Sequence, residues 1–278
     1  MNHRRIERVA EVIAALGFDG IASFDRAEPE YETFSSFHDT LGDEPHRALL
    51  GICSATADYQ LAGDAQQFWA ALEETAFEHG SLDTIQDVRD ILGDFMARDV
   101  NARLRDQKQK RLINLIHAGF DEWFIENYGT VEPVTVWDRL AEGIETGRRK
   151  KTIVFAMKVY DIVTLIETGS YLPFPRDIPI PCDLQVERVA RTSGLVDDDN
   201  ERAVMSAWAS VMESVNQEIN EHVSLLRIDS IVWQAGQVIG KHEPDQGDTR
   251  AALVDHFDHV GLERDYGEEL AAELTAAM

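Results

Sequence analysis

The stretch from Gly147 to Gly194 reads GRRKKTIVFAMKVYDIVTLIETGSYLPFPRDIPIPCDLQVERVARTSG, and it carries the strongest structural signals of the chain. Four of the chain's eight prolines lie between Pro173 and Pro181. Proline fixes φ, removes a backbone donor and disfavours helical backbone at the residue before it. We therefore expect a stiff, extended connector that delivers Asp183 to the start of a helix. There its carboxylate can cap the first turn or project into a cleft.

The helix before this connector is apolar nearly all round from Thr152 to Ile166, which is typical of a helix buried inside a domain. Lys151, Phe155 and Lys158 nevertheless lie at i, i+4 and i+7, on one face of that helix. One interpretation is that both lysines extend to water at the helix edges. The other is a cleft wall that carries a reactive amine, a ring for stacking and a second cation. The residues alone leave both interpretations open.

The composition indicates an acidic surface on an ordinary core. The formal net charge is −25 and the hydrophobic fraction is 44%, with a pI near 4.6. Such an apolar content is not that of a disordered chain, and 278 residues allow one large or two modest domains. Repulsion between so many carboxylates is screened within about 3 Å at 1 M salt. The composition therefore predicts a protein from a salt-rich cytosol, a halophile.

Several classes of protein are excluded by what the sequence lacks. Cys53 and Cys182 are too few for a disulfide framework or for a four-cysteine iron–sulfur cluster. No apolar run reaches the roughly 18 residues of a membrane span, and no signal-peptide h-region is present. His256 and His259 stand at i, i+3 with only aspartates nearby, which is a weak pattern for a metal site. We expect a cytoplasmic protein with no membrane segment, metal or cofactor.

Helical periodicity recurs along the chain and no stretch alternates like a strand, so the predicted fold class is all-α. Ser81 is the expected N-cap of one helix, and Gly80 is expected to end the helix before it. Asp197–Asn200 is expected to form the acidic first turn of a helix that runs to about Val215. Residues 17–45 are polar and punctuated by glycine, which predicts a loop or an extension. The other predicted helices are 4–16, 46–61, 64–78, 82–98, 100–118, 120–127, 133–146 and 229–239.

Four further residues carry two interpretations each. Trp69 follows Phe68 in an amphipathic helix and is either a core ring or a pocket ring. Gln60 either ends a helix or presents its amide to a ligand. Asp229 and Trp233 share a helix face at i and i+4. Either Asp229 is an N-cap and Trp233 a core ring, or both are pocket residues.

Several of these motifs together resemble the archaeal 8-oxoguanine DNA glycosylase family, a divergent branch of the helix-hairpin-helix base-excision glycosylases. The central match is KTIVFAMK with PFPRDIPIPCDLQV and TSG. Flanking matches are Tyr59-Gln60-Leu61 with Phe68-Trp69, and Asp229-Ser230-Ile231 with Trp233. The resemblance extends over roughly residues 47 to 240. It implies a two-lobed helical fold with the active-site cleft between the lobes. We expect one lobe over 1–79 and 197–278, and the other over 80–196.

The resemblance also implies a reaction and roles for the residues. The family excises 8-oxoguanine through a lysine Schiff base followed by β-elimination. Lys151 is the expected nucleophile because its interval to Asp183 matches the family, with Lys158 as the rival. Asp183 is expected to stabilise the cationic sugar. The residues expected to bind the flipped base are Gln60, Trp69, Phe155, Lys158, Asp229 and Trp233.

The longest net-basic stretch, ARDVNARLRDQKQKR, ends at Arg111. A charge run is usually a solvated helix face, but in so acidic a protein we expect it to contact phosphates. The candidate DNA-backbone contacts are Arg103, Arg105, Lys108, Lys110, Arg148 and Arg149. A clear G-x-G hairpin, through which the wider superfamily binds the backbone, is missing. The expected partner is double-stranded DNA containing 8-oxoguanine, with single-stranded DNA as a second substrate, and the expected state is a monomer.

Two alternative functions remain open from the sequence. One is a monofunctional glycosylase in which Asp183 activates water and the lysine only binds. The other is a helical nucleic-acid-binding protein with no activity.

Overall fold

A computed structural model describes residues 2–197, 200–219 and 222–278. Over these residues the chain is helical, without strands, as predicted, and the short 3₁₀ turn Asp99–Asn101 precedes α7. The helices are α1 (His3–Ala15), α2 (Gly17–Asp25), α3 (Pro29–Phe37), α4 (Glu44–Ala55), α5 (Ala65–His79), α6 (Ile85–Ala97), α7 (Arg105–His117), α8 (Phe120–Asn127), α9 (Pro133–Gly143), α10 (Lys151–Thr168), α11 (Leu184–Thr192), α12 (Glu201–Glu218), α13 (Leu225–His242), α14 (Gln246–His259) and α15 (Arg264–Leu274). Among the described residues, no helix is both long and apolar enough to cross a membrane.

These helices form two compact units. The central unit is Glu28–Pro175, and the terminal unit combines Met1–Ala27 with Arg176–Met278. The bounds differ from the predicted division at 79/80 and 196/197. The difference arises because α3 packs on α5 and α10, whereas α11 packs on α13.

In the central unit, α10 is the buried element around which α3, α4 and α9 pack. It contains no glycine or proline, and Gly169 ends it in the left-handed conformation at φ 69°. Helix α4 approaches α10 closely at Gly51, where a Cβ would lie 3.1 Å from both Phe34 Cζ and Val159 Cγ1. A larger residue at this position would push α4 away from α10.

In the terminal unit, α1, α11, α12 and α13 enclose an apolar core that includes Trp208 and Phe257. The two ends of the chain meet here, because Arg5 donates to the Ser193 carbonyl at 2.7 Å and pairs with Glu273 at 2.6 Å. Helix α13 approaches α11 at Gly236, where a Cβ would lie 2.7 Å from the Gln185 carbonyl oxygen. This glycine therefore sets the position of the first turn of α11, which follows Asp183.

One prediction about a helix start, and one of the two open interpretations of Asp229, were wrong. The N-cap of α6 is Thr84 rather than Ser81, because Thr84 and Asp87 form a reciprocal capping box. Asp229 is not an N-cap, since α13 begins at Leu225. Gly80 does end α5, in the left-handed conformation, as predicted.

For residues 17–45 a loop or an extension was predicted, and the loop was wrong because these residues contain α2 and α3. Both helices have nine residues, and each is fixed by burial of its aromatic side chains, among them Phe24 and Phe34. The predicted helix 100–118 is instead divided by Leu104, which has φ 52°. Helix α12 starts at Glu201 after the N-cap Asn200, and Asp198 and Asp199 of the predicted acidic turn lie outside the described residues.

Candidate active site

Lys151 is the first residue of α10 and is half-buried. Its Nζ donates a hydrogen bond to the backbone carbonyl of Asp58 at 3.3 Å. The same amine lies 4.8 Å from the centroid of the Phe155 ring, one helical turn further on. The residue before it, Lys150, is the N-cap of α10 and makes no side-chain capping hydrogen bond. The chain thus presents Lys151 at a helix start, held by one carbonyl and one ring.

Phe155 and Trp69 bring two aromatic rings to this face of α10. Phe155 is half-buried and Trp69 is fully buried, with ring centroids 6.3 Å apart. Trp69 also packs edge-on against Phe34 and Phe68, as a core ring would. Its indole Nε1, however, is a buried donor without a hydrogen-bond partner among the described residues. Buried donors are normally satisfied, so Trp69 combines a core position with an unused polar group.

Lys158 lies deeper on α10 and does not extend to water, so that interpretation was wrong for this lysine. Its Nζ pairs with Glu28 Oε1 at 3.1 Å, and the side chains are only 1% and 2% exposed. A buried ion pair of this kind needs both charges in place to compensate the desolvation of each.

Glu30, on the first turn of α3, is a residue that the sequence analysis missed. It is 1% exposed, and its Oε1 has no hydrogen-bond partner among the described residues. Burial raises the pKa of this carboxyl well above its usual value, and the charge of Glu28 raises it further, against the opposing effect of Lys158. Burial therefore favours the protonated form of the Glu30 carboxyl beside the buried pair. The motif Glu28-Pro29-Glu30, with proline at a helix N1 position, was the signal that could have located this helix start.

Asp183 is the N-cap of α11, as predicted, and belongs to the terminal unit. Its Oδ1 accepts hydrogen bonds from the backbone N–H groups of Gln185 at 2.9 Å and Val186 at 3.1 Å. These bonds fix the carboxylate and leave Oδ2 outside the cap. The connector before it thus delivers a half-buried, oriented carboxylate.

Asp229 and Trp233 lie on α13 of the same unit, with Asp229 buried and Trp233 half-buried. The residues on either side of Asp229 are held by Asp25 of α2. Arg227 Nη1 lies 3.4 Å from Asp25 Oδ2, and Ser230 Oγ donates to Asp25 Oδ1 at 2.6 Å. Burial lowers the pKa of Arg227 to about 10. Helix α2 therefore fixes the turn of α13 that carries Asp229.

Gln60 is exposed and adopts the left-handed conformation, with φ 48°. It directly follows Tyr59, two residues after the carbonyl that binds Lys151. This backbone conformation is uncommon for a residue other than glycine, asparagine or aspartate. Its amide is thus presented to solvent close in sequence to the contact with Lys151.

The candidate DNA-backbone residues differ in exposure. Arg103, Lys110 and Arg149 are exposed. Arg148 pairs with Asp138 at 2.8 Å, and Arg105 donates to the Ala97 carbonyl at 3.0 Å.

Lys108 contradicts its prediction as a backbone contact, because it is fully buried. Its Nζ donates to Asn101 Oδ1 at 3.0 Å, and burial lowers its pKa to about 8. A phosphate on the surface cannot reach such an amine.

Of the two histidines near the C-terminus that were considered as metal ligands, His256 is half-buried and His259 is exposed. His256 Nε2 lies 3.1 Å from Gln234 Oε1, and burial, with smaller effects from His259 and Lys241, lowers the pKa of His256. Within the part of the chain that the structure describes, no group of three histidine, cysteine, aspartate or glutamate side chains could hold a metal ion.

The comparison with solved structures shows which kind of fold the protein has. It is similar to the crystal structure of 8-oxoguanosine-complexed Pa-AGOG, the 8-oxoguanine DNA glycosylase from Pyrobaculum aerophilum. The TM-score is 0.73 at 20% sequence identity, and the match covers 98% of this chain and 97% of that one. The architecture is therefore that of this all-helical DNA glycosylase, as predicted.

The comparison of the sequence with known proteins shows the family to which the chain belongs. The family model described as AGOG: N-glycosylase/DNA lyase matches residues 10–270. The chain therefore belongs to the AGOG family. It is 26% identical to the N-glycosylase/DNA lyase of Pyrobaculum aerophilum over 243 residues, which covers 84% of this chain and 87% of that protein. It is 23% identical to the N-glycosylase/DNA lyase of Thermococcus kodakarensis over 241 residues, which covers 84% of each. The predicted family and enzyme class are confirmed, and the non-catalytic alternative is wrong.

Proposed function

We propose that this enzyme removes 8-oxoguanine from double-stranded DNA in base-excision repair and then cleaves the strand by β-elimination. The observation that carries the proposal is the environment of Lys151. Its amine stands at a helix start, binds a backbone carbonyl and lies over the Phe155 ring. A lysine that served only to bind phosphate would be expected on the open surface.

In the reaction we assign to Lys151, the lone pair of Nζ attacks C1′ of the damaged nucleotide while the C1′–N9 bond breaks and its electron pair leaves with the base. The base takes up a proton, and Nζ loses one. The C1′–O4′ bond then breaks as Nζ forms a double bond to C1′, and O4′ takes up a proton, which gives a protonated Schiff base. Loss of a C2′ proton supplies the electron pair of a new C2′–C3′ double bond, while the C3′–O bond breaks and its electron pair leaves with the 3′-phosphate, which cleaves the strand.

Asp183 is assigned to stabilise the cationic sugar that develops as the glycosidic bond breaks. The N-cap contacts support this assignment, because two backbone N–H groups hold Oδ1. A carboxylate that is already oriented needs no reorganisation when positive charge appears near it.

Each residue expected to bind the flipped base is given its own role. A flipped base is held by stacking and by hydrogen bonds to its edges. We assign stacking to Phe155 and Trp233. The edge contacts are assigned to Gln60, Trp69, Lys158 and Asp229, to which we add the buried carboxyl of Glu30. The unused indole N–H of Trp69 and the unused Oε1 of Glu30 support this, since both are buried polar groups without a protein partner among the described residues.

DNA binding is assigned to the exposed cations Arg103, Lys110 and Arg149, with Arg105 and Arg148 beside them. The enzyme is proposed to act as a monomer at the cytoplasmic nucleoid, and to accept single-stranded DNA as a second substrate.

The test is borohydride reduction during incubation with a duplex that contains 8-oxoguanine. We expect a covalent protein–DNA adduct that Lys151→Gln abolishes. Lys158→Gln should weaken base binding while leaving some adduct. The matched control is Lys150→Gln, because Lys150 is exposed and immediately precedes the nucleophile. Base release without any adduct would instead establish the monofunctional alternative. Loss of the adduct in a Lys158→Gln variant that is folded by circular dichroism, with Lys151→Gln still trapped, would make Lys158 the nucleophile.

A further inference from the structure

The segment 56–60 follows α4 and carries the carbonyl that binds Lys151. Backbone hydrogen bonds fold it onto the end of α4, since Ala57 N donates to the Ser54 carbonyl and Tyr59 N to the Ala57 carbonyl, both at 2.9 Å. The carbonyl of Asp58 then accepts from Lys151 Nζ. The position of this short segment therefore determines where the amine of Lys151 is held.

Arg111 of α7 connects this segment to α10. Its Nη1 lies 3.4 Å from the Thr56 carbonyl oxygen and 3.2 Å from Thr152 Oγ1. Thr152 is the neighbour of Lys151, and Thr56 is two residues before Asp58. One guanidinium nitrogen therefore joins the residue next to the amine to the segment that holds the amine.

Arg111 makes a second contact with the same segment through the ring of Tyr59. The guanidinium carbon lies 4.7 Å from the ring centroid, and Lys108 Nζ lies 5.4 Å from it. Two cations over one ring form cation–π contacts within the usual 6 Å limit. Since Lys108 is itself bound to Asn101, the ring is fixed from α7 at two points.

We propose that Arg111 is a positioning residue for the Schiff-base step, which it serves by fixing segment 56–60 and Thr152 around the amine of Lys151. The inference rests on the proposed function, because it assumes that Lys151 is the nucleophile. Arg111 itself acts through Thr56, Thr152 and Tyr59. A displacement of about 1 Å at a reacting group can slow a reaction about 100-fold.

The experiment compares the wild-type enzyme with Arg111→Met under single-turnover conditions. Two quantities are measured: the rate of borohydride-trapped adduct on an 8-oxoguanine duplex, and the Kd for a duplex carrying the 2′-fluoro analogue, which resists glycosidic cleavage. We expect Arg111→Met to slow trapping by about 100-fold and to leave Kd unchanged. Added guanidinium ion should restore part of the trapping rate by occupying the vacated site.

Two further variants separate positioning from folding. Thr152→Val removes the hydroxyl acceptor at constant volume, so its effect should not add to that of Arg111→Met if the two residues act together. Arg139→Met is the matched control. Arg139 of α9 also stacks on a ring, that of Trp123, at 4.8 Å, but in the part of the chain that the structure describes it has no hydrogen bond to segment 56–60. It should leave trapping unchanged.

The possible results separate a failure of the inference about Arg111 from a failure of the proposed function. Trapping by Arg111→Met at the wild-type rate would overturn the inference alone. Equal losses in trapping and in affinity would also overturn it and would make Arg111 a DNA contact. Additive effects of Arg111→Met and Thr152→Val, without rescue by guanidinium, would assign Arg111 to stability. Absence of any adduct with the wild-type enzyme would instead contradict the proposed function.

Discussion

Glu28 and Glu30 are two glutamates beside one buried lysine, and glutamine should have opposite effects at the two positions. Glu28 is paired with Lys158 at 3.1 Å, where two unit charges attract by about 5 kcal/mol at an effective dielectric constant of about 20. Glu28→Gln leaves the lysine buried without its carboxylate, a change that costs about 3–5 kcal/mol. Taking about 4 kcal/mol over 278 residues, we expect Tm to fall by about 7 °C.

Glu30→Gln should instead stabilise the fold at neutral pH. Burial and the charge of Glu28 raise the pKa of Glu30, while Lys158 opposes the shift and Asp58 adds a small raising effect. A carboxyl with a raised folded-state pKa binds more protons in the native state. Stability is therefore lost as pH rises from the ordinary glutamate value, about 4.3, through the raised value. Glutamine removes this loss because it does not ionise.

Differential scanning calorimetry of the wild type and both variants between pH 4 and pH 9 measures these effects at constant high salt. The difference between Glu30→Gln and the wild type should be near zero at about pH 4 and should grow in favour of the variant as pH rises. Glu28→Gln should lower Tm at neutral pH. A Glu30→Gln variant that melts below the wild type at pH 8 would refute the reasoning, because it would mean that the Glu30 carboxylate is ionised and stabilising.

Four other predictions test the site and the surface. Asp183→Asn should retain DNA affinity but slow base excision by about 10²–10³ in single-turnover assays, and near-normal excision would contradict its role. Gly236→Ala should slow excision in the same assay, because its Cβ would displace the Gln185 backbone next to Asp183, and an unchanged rate with unchanged Tm would contradict this. Lys110→Gln should reduce the slope of log affinity against log salt by about 0.9, whereas the buried Lys108→Met should not. The rate of excision and the helicity by circular dichroism should both rise with salt toward an optimum near or above about 1 M, because screening relieves repulsion within a protein of charge −25. A rate of excision that falls monotonically from low salt would oppose the halophilic interpretation.

The parts of the fold that could be predicted from the sequence are those with strong local signals. Such signals act on neighbouring residues, so the local structure they produce could be predicted. They are the prolines between Pro173 and Pro181, the N-cap Asp183 and the apolar run of α10. Gly80 ended a helix for the same reason. Helices α2 and α3 were missed because nine-residue segments are not stable from local propensity and form here through burial of their aromatic rings.

In the candidate site, too, residues without a local sequence signal could not be predicted. Lys151 and Asp183 were found through a motif, but Glu30 was not, because a glutamate is usually exposed and nothing local indicates that one is buried. Lys108 stood in a basic run that suggested the surface, and only tertiary packing places its amine against Asn101 and Tyr59. Burial of a charged group depends on residues distant in sequence, which a pattern of neighbours does not contain.

The division of the chain has a consequence for the order in which the enzyme is made. The central unit is contiguous, so it can fold once residues 28–175 have left the ribosome, with Lys151 already in place. The terminal unit cannot, because α1 packs on α12 and α15, which are synthesised after that point. At about 5–20 residues per second, the stretch from the end of α1 at Ala15 to the end of α12 at Glu218 takes about 10–40 s to synthesise, and α1 waits that long with its apolar face uncovered. The nascent chain thus carries Lys151 before Asp183 has been synthesised, and its earliest helix is enclosed only after its late helices have emerged.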